Sequence, residues 1–246
     1  MRTFGLIGYP LSHSFSKLFF TKKFERELIR DTAYELFPIA EIAGLEELLQ
    51  NPDLAGLNVT IPYKVAVLPF VGELDPAAAD IGAVNCLKII QSTKGPEVKG
   101  FNTDAYGFEE SLKPLLQAHH QQALILGDGG AASAVKYVLN KLGIRYRTVL
   151  RKPKPDALLY ADLDQSLLES HTIIINTTPL GTFPNVDDCP NIPYEYLSAK
   201  HLAYDLVYNP EETLFLKMVK EKGGTIKNGL EMLELQAERS WEIWTT

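Results

Sequence analysis

Nine residues near the middle of the chain, Leu124-Ile125-Leu126-Gly127-Asp128-Gly129-Gly130-Ala131-Ala132, carry an apolar run into a glycine cluster. A small-residue helix is predicted after them, running to Leu142 with Gly143 beyond it. Strand, tight turn and helix start in that order suit a phosphate-binding βα unit. Gly127 can bend sharply, Gly129 lets the backbone approach a pyrophosphate, and Ala132 permits close helix–strand packing where a third glycine is common. The open N–H groups and dipole of the helix start favour negative charge. Glycines that serve only a βα turn needing positive φ would read the same way.

The next βα unit narrows the choice. Ile144–Leu150 reads as a strand and ends in Arg151-Lys152-Pro153-Lys154. An acidic residue about 20 positions past the glycines would accept from the ribose 2′-OH of NAD. None stands there, and the first is Asp156. Arg151, Lys152 and Lys154 suit a 2′-phosphate, which Arg grips bidentately and Lys meets as a point charge. The cofactor expected is therefore NADP, although a solvated loop is also often basic. Asp128 would repel the pyrophosphate if turned toward it and is expected to face solvent.

The 246 residues suffice for one large or two modest cores. With 31 acidic against 24 basic residues, net charge −7, the chain is a poor partner for nucleic acid or an anionic membrane. Anionic ligands must be met by local cations and backbone amides. No apolar run is long enough to cross a membrane, and no signal peptide is visible before the first strand. Cys86 and Cys189 lack metal-ligand spacing, as do the five histidines, so no metal site is expected. Reduced thiols fit a cytoplasmic protein.

Alternating patterns predict strands at Thr3–Tyr9, Thr32–Ile39, Gly56–Thr60, Ala83–Ile90 and Glu97–Phe101. Between them fall helices from His13 to Ile29, Glu41 to Gln50, Pro62 to Leu68 and Pro76 to Ile81. A helix Tyr106–Gln117 leads into the glycine unit, whose later strands are Thr172–Asn176 and His201–Leu206, with a helix Glu212–Lys222 and a final helix to Trp244. The fold class is α/β with two α/β domains. The first has a mostly parallel sheet and is placed at residues 1–103 plus 229–246; the second, Rossmann-type, at 104–228. A ligand cleft at strand carboxyl ends, closing about crossings near Asp104 and Gly229, is the expected arrangement.

Polar groups gather where the first domain's strands end. They are Ser12, His13, Ser14 and Ser16; Asn58, Thr60 and Lys64; Asn85; then Asn102, Thr103 and Asp104. Hydroxyls, amides, one ammonium and one carboxylate suit a small polyhydroxylated acid. Each also has a plainer reading: Ser14 or Ser16 can cap a helix, Lys64 can be a surface lysine, and Asp104 can be an N-cap.

Taken together, these segments resemble the shikimate dehydrogenase family. The motifs are Gly-x-Pro-x-x-His-Ser-x-Ser from Gly8, Asn-Val-Thr-x-Pro-x-Lys from Asn58, Gly-Ala-Val-Asn from Gly82 and Gly-x-Asn-Thr-Asp-x-x-Gly from Gly100. Gly-x-Gly-Gly-Ala-Ala from Gly127, Asp-x-x-Tyr-x-Pro from Asp205 and Gly-Leu-x-Met-Leu-x-x-Gln-Ala from Gly229 follow in order, so the set spans Gly8 to Ala237. The resemblance implies NADP-dependent interconversion of 3-dehydroshikimate and shikimate, a step toward aromatic amino acids. It implies Lys64 and Asp104 as the catalytic pair, Ser14 and Ser16 on the substrate carboxylate, and Thr60, Asn85, Asp104, Tyr208 and Gln236 on the rest of the substrate. For the cofactor it implies Gly127, Gly129, Gly130, Ala131, Arg151, Lys152, Asn176, Thr177, Gly229 and Met232. Lys17 and Phe19-Phe20 depart from the family's pattern after Ser16, and Arg151-Lys152-Pro153 stands where Asn-Arg-Thr is usual. Two other readings stay open: a quinate/shikimate dehydrogenase using NAD, and a cofactor-binding sensor without turnover. The expected assembly is a monomer or homodimer.

Overall fold

The computed structural model describes residues 1–11 and 14–246. Ser12 and His13, including the expected start of the first helix, lie outside the described residues. The chain forms two compact units, one of Met1–Tyr106 with Glu234–Thr246 and one of Gly107–Leu233.

In the first unit the order is β1 (Arg2–Gly8), α1 (Phe15–Arg26), β2 (Thr32–Pro38), α2 (Gly44–Leu49), β3 (Leu54–Val59), β4 (Glu73–Leu74), α3 (Pro76–Ile81), β5 (Cys86–Ile90) and β6 (Glu97–Phe101). Helix α4 (Thr103–Leu112) begins here and continues into the second unit. The sheet order is β2-β1-β3-β5-β6-β4. Strands β1, β2 and β3 pair in parallel, with Arg2 opposite Thr32 and Gly8 opposite Pro38. Strand β5 runs antiparallel to both β3 and β6, and the short edge strand β4 is parallel to β6. Parallel pairs thus set the half of the sheet whose carboxyl ends carry Gly8 and Thr60.

The second unit runs β7 (Gln122–Leu126), α5 (Gly130–Lys141), β8 (Arg145–Leu150), β9 (Ala157–Leu159), α6 (Gln165–Ser170), β10 (Ile173–Asn176), β11 (Leu202–Asp205), α7 (Leu214–Glu221) and β12 (Thr225–Lys227). Helix α8 (Leu230–Thr245) starts here and ends in the first unit. All neighbours are parallel in the order β12-β11-β10-β7-β8-β9. That is the doubly wound dinucleotide-binding order, reversing between β7 and β10. Its central strands are continuously apolar because they are covered on both faces: Leu124, Ile125, Leu126 and Ile173–Ile175 are fully buried.

An aromatic cluster closes the first unit on the side of α8. Phe4 stacks on Trp244 with ring centroids 4.9 Å apart, and Phe20 stacks on Tyr34 at 4.5 Å. Gly56 is bare because the Trp244 indole lies over it: a Cβ there would stand 2.3 Å from Nε1. The same Nε1 donates to the Leu87 carbonyl at 2.9 Å.

Several elements differ from the sequence-based expectation. Residues 64–67 form turns and Leu68–Phe70 a single 3-10 turn, in place of a helix from Pro62 to Leu68. Pro62 and Pro69 each lack an N–H for a helical ladder. Strands β4, β9 and β12 are two or three residues long, too short to show a period, and helix α6 has only six residues. Among the described residues no helix is long and apolar enough to cross a membrane, and no three side chains gather to hold a metal. Both cysteines are free, and burial pushes the Cys86 thiol up to about 12.

Candidate active site

In the first unit the Lys64 ammonium meets Asp104 Oδ2 at 2.5 Å, with both side chains mostly buried. Lys64 follows β3 on a turn pinned from several sides. Its carbonyl accepts from Val84 N at 2.8 Å, and Tyr63 donates its phenol to the Ile39 carbonyl at 2.7 Å. Asp104 lies in the first turn of α4. It is not the cap there. Asn102 Oδ1 accepts from Ala105 N at 3.1 Å while Asn102 Nδ2 donates to the Ala83 carbonyl at 2.9 Å. Asp104 is thereby left free of capping and faces a lysine 40 residues away in sequence.

Behind the pair runs a buried polar chain that sequence reasoning did not assemble. Tyr34 donates to Asn58 Oδ1 at 2.8 Å, and Asn58 Nδ2 donates to Ser240 Oγ at 2.9 Å. Ser240 and Thr103 hydroxyls lie 3.2 Å apart, and Thr103 Oγ1 reaches Gln236 Oε1 at 3.5 Å. Asn85 completes the chain. Its Oδ1 accepts from Thr103 N at 2.6 Å, and its Nδ2 donates to Thr103 Oγ1 at 3.0 Å. The expected ligand residues Asn85 and Gln236 are therefore held by one threonine. Every buried polar member has a partner, which is what lets such a network rigidify a site.

Ser14 caps α1, its Oγ accepting from Lys17 N at 3.3 Å, so its proton remains to be donated elsewhere. Ser16 stands one residue into the helix, half-buried. Burial raises the Tyr34 phenol well above its ordinary value, and a hydrogen bond from Ser16 acts against this. Thr60 sits at the end of β3, bound through its N–H to the Ile7 carbonyl at 2.9 Å.

In the second unit Gly127 takes φ +107°, a conformation open to glycine, and a Cβ there would press on Thr177 Oγ1 at 2.8 Å. Gly129 and Gly130 have open space where a side chain would be. Among the described residues no side chain caps α5 at Gly129; Ala132 N–H donates to the Gly129 carbonyl at 2.9 Å, which leaves the N–H groups of Gly130 and Ala131 at the helix start without a capping side chain. An anionic dinucleotide fits that uncapped, uncovered helix start. Arg151, Lys152 and Lys154 follow β8 on an exposed loop. Asp128 does not simply face solvent as expected: its carboxylate is clamped between the Lys136 and Lys154 ammonium groups. Burial pushes its carboxyl up, but the two cations outweigh this and hold it below the ordinary aspartate value.

Asn176, expected at the cofactor, lies at the end of β10. Its side chain is fully buried, Nδ2 donating to Asp205 Oδ1 at 2.9 Å and Oδ1 accepting from Thr178 N at 3.0 Å. With both ends bonded inside the unit, its side chain shapes the loop after β10. Thr177, on that loop, donates Oγ1 to the Leu126 carbonyl at 2.8 Å and roofs Gly127. Asp205 also accepts from Thr213 Oγ1 at 2.6 Å and Val207 N at 3.0 Å, and burial raises it to about 6. Tyr208, on the loop after β11, is partly exposed, whereas Met232 is buried in the first turn of α8. Gly229 precedes that turn, and a Cβ on it would strike the Leu206 carbonyl at 2.2 Å.

Residues 6–87 match the shikimate dehydrogenase substrate binding domain. The chain is 35% identical to the shikimate dehydrogenase (NADP(+)) of Desulforamulus reducens, with 98% of this chain and 89% of that protein covered. Among solved structures, shikimate dehydrogenase of Aquifex aeolicus superposes with TM-score 0.86 at 29% identity, covering 99% of this chain and 92% of that one. Shikimate 5-dehydrogenase of Thermus thermophilus, solved with NADP(H) and shikimate, gives TM-score 0.84 at 30% identity, covering 100% and 94%.

Proposed function

The chain belongs to the shikimate dehydrogenase family, and we propose that it catalyses the reversible, NADP-dependent reduction of 3-dehydroshikimate to shikimate. The observation that carries this reading is the Lys64–Asp104 pair at 2.5 Å, set among hydroxyls and amides at the end of the first unit's parallel strands. Residues 1–103 with 229–246 form the substrate domain in this reading, and 104–228 the NADP domain.

The reaction asks the protein to move one proton and to hold two partners in line. Bound NADP(H) supplies or takes the hydride. In the reducing direction Lys64 gives a proton from Nζ to the ketone oxygen as that oxygen gains charge, and recovers one from solvent. In the oxidising direction it accepts the hydroxyl proton. Asp104 fixes the ammonium and accepts from a substrate hydroxyl through its other oxygen. Acid–base catalysis of this kind contributes about 10²–10⁴-fold, and alignment of the reacting carbons supplies the rest. Ser14 and Ser16 donate to the substrate carboxylate, while Thr60, Asn85, Gln236 and Tyr208 bind its remaining polar groups. The turn Gly127–Ala131 receives the pyrophosphate, Arg151 and Lys152 the 2′-phosphate, and Thr177, Gly229 and Met232 border the cofactor, with Asn176 as a support.

A charge of −7 favours action without nucleic acid or an anionic membrane, and the reading is of a cytoplasmic enzyme, monomer or homodimer. Steady-state rates with shikimate and quinate, each with NADP and NAD, test the assignment. Turnover of shikimate with NADP should exceed the other three combinations. Preference for quinate with NAD would select the sister activity, and no turnover with any pair would select a sensor.

A further inference from the structure

The glycine turn of the second unit holds a carboxylate that a dinucleotide site does not need. Asp128 follows Gly127 directly and reaches two lysines, Lys136 from the second turn of α5 and Lys154 from the loop after β8. Lys154 belongs to the basic run that stands where a 2′-phosphate is met. Its side chain is 59% exposed, yet its ammonium is drawn back onto the turn. Asp128 itself is mostly covered, so the contact is with a fixed anion.

We propose that Asp128 is a specificity-determining residue: by holding Lys154 it withholds one cation from the 2′-phosphate and narrows this chain's preference for NADP over NAD. The inference rests on the NADP reading above. Asp128, Lys136 and Lys154 together carry one net positive charge; without the carboxylate they would carry two. A phosphate approaching Lys154 must either share the ammonium with Asp128, and so lie beside a second anion, or displace it. Both routes weaken the charge-assisted contact that an unpaired lysine would make. A ligand lacking the 2′-phosphate makes no demand on Lys154, so the handicap falls on NADP.

Calorimetric titration with 2′,5′-ADP and with 5′-AMP reads this without turnover. In Asp128→Asn the affinity ratio favouring 2′,5′-ADP should rise about five- to tenfold over the unaltered protein, and Asp128→Ala should behave alike. Adding Lys154→Met to Asp128→Asn should abolish the gain. A ratio that does not change, both ligands tightening together, would overturn the proposal and make Asp128 a general repeller of phosphate. A ratio that falls would also overturn it, making Asp128 the group that aims Lys154 at the phosphate. No preference for 2′,5′-ADP in any of these proteins would instead defeat the NADP reading itself.

Discussion

Asn102, by capping α4, leaves the Asp104 carboxylate two residues later to face Lys64 Nζ at 2.5 Å. One asparagine takes the task that an aspartate at a helix start would otherwise perform, and the carboxylate is released for chemistry.

Lys64→Ala should lower kcat by about 10²–10⁴-fold, the span typical of a positioned acid–base group, with a much smaller change in KM for shikimate. Steady-state kinetics across pH decide the matter. Near-native kcat at every pH would remove Lys64 from proton transfer.

Neutral replacement of Arg151 and Lys152 together should raise KM for NADP and leave KM for NAD nearly unchanged. Each charge-assisted contact to a phosphate is worth about 1.5–3 kcal/mol in typical cases. Equal loss with both cofactors would place these side chains away from the 2′-phosphate.

Gly56→Ala should destabilise the fold by about 1–3 kcal/mol, because the added methyl would overlap the Trp244 ring at 2.3 Å. Urea denaturation measures the cost. Combined with Trp244→Phe, which opens space at that edge, the double variant should lose less than the two single losses added. Strict additivity would mean that the two positions do not press on each other.

Asp205 sets a pH dependence. Its carboxyl is raised from 3.8 to about 6 by burial, so the folded protein keeps a proton that the unfolded chain has released. The resulting stabilisation is complete below the unfolded value and is lost as pH rises through about 4 to 6. The hydrogen bonds from Thr213, Val207 and Asn176 already hold the carboxyl below where burial alone would put it, and the remaining shift of about two pH units corresponds to at most about 3 kcal/mol. Unfolding free energies of the unaltered protein and Asp205→Asn, measured across that window, should diverge with pH. A constant difference would show that Asp205 does not titrate there.

What could be read from the chain beforehand depended on how local the cause was. Helix α3 was legible to the residue because Asp75, Pro76 and Gly82 are a cap, a first-turn proline and a left-handed stop. The glycine turn was legible because its whole grammar fits in nine residues. The clamp on Asp128 was not: Lys136 and Lys154 lie 8 and 26 positions away, and only the folded loop after β8 brings the second one back. The Tyr34–Asn58–Ser240 chain was hidden for the same reason, since Asn58 and Ser240 are 182 residues apart and each alone is an ordinary polar residue. The Asn176–Asp205 bond was hidden likewise, because a motif gives position and not direction.

The helix that carries Trp244 across Gly56 also fixes an order of events during synthesis. The first unit needs Ala237, Ile243 and Trp244 for the cluster around Phe4 and Phe20, yet the ribosome makes all of Gly107–Leu233 in between. At about 5–20 residues per second, that delay is roughly 6–25 s. The inserted unit, being continuous, can close while its host still waits with an uncovered aromatic face. In the cell this protein is thus expected to be most exposed to aggregation, and most in need of a chaperone, in the interval before α8 emerges.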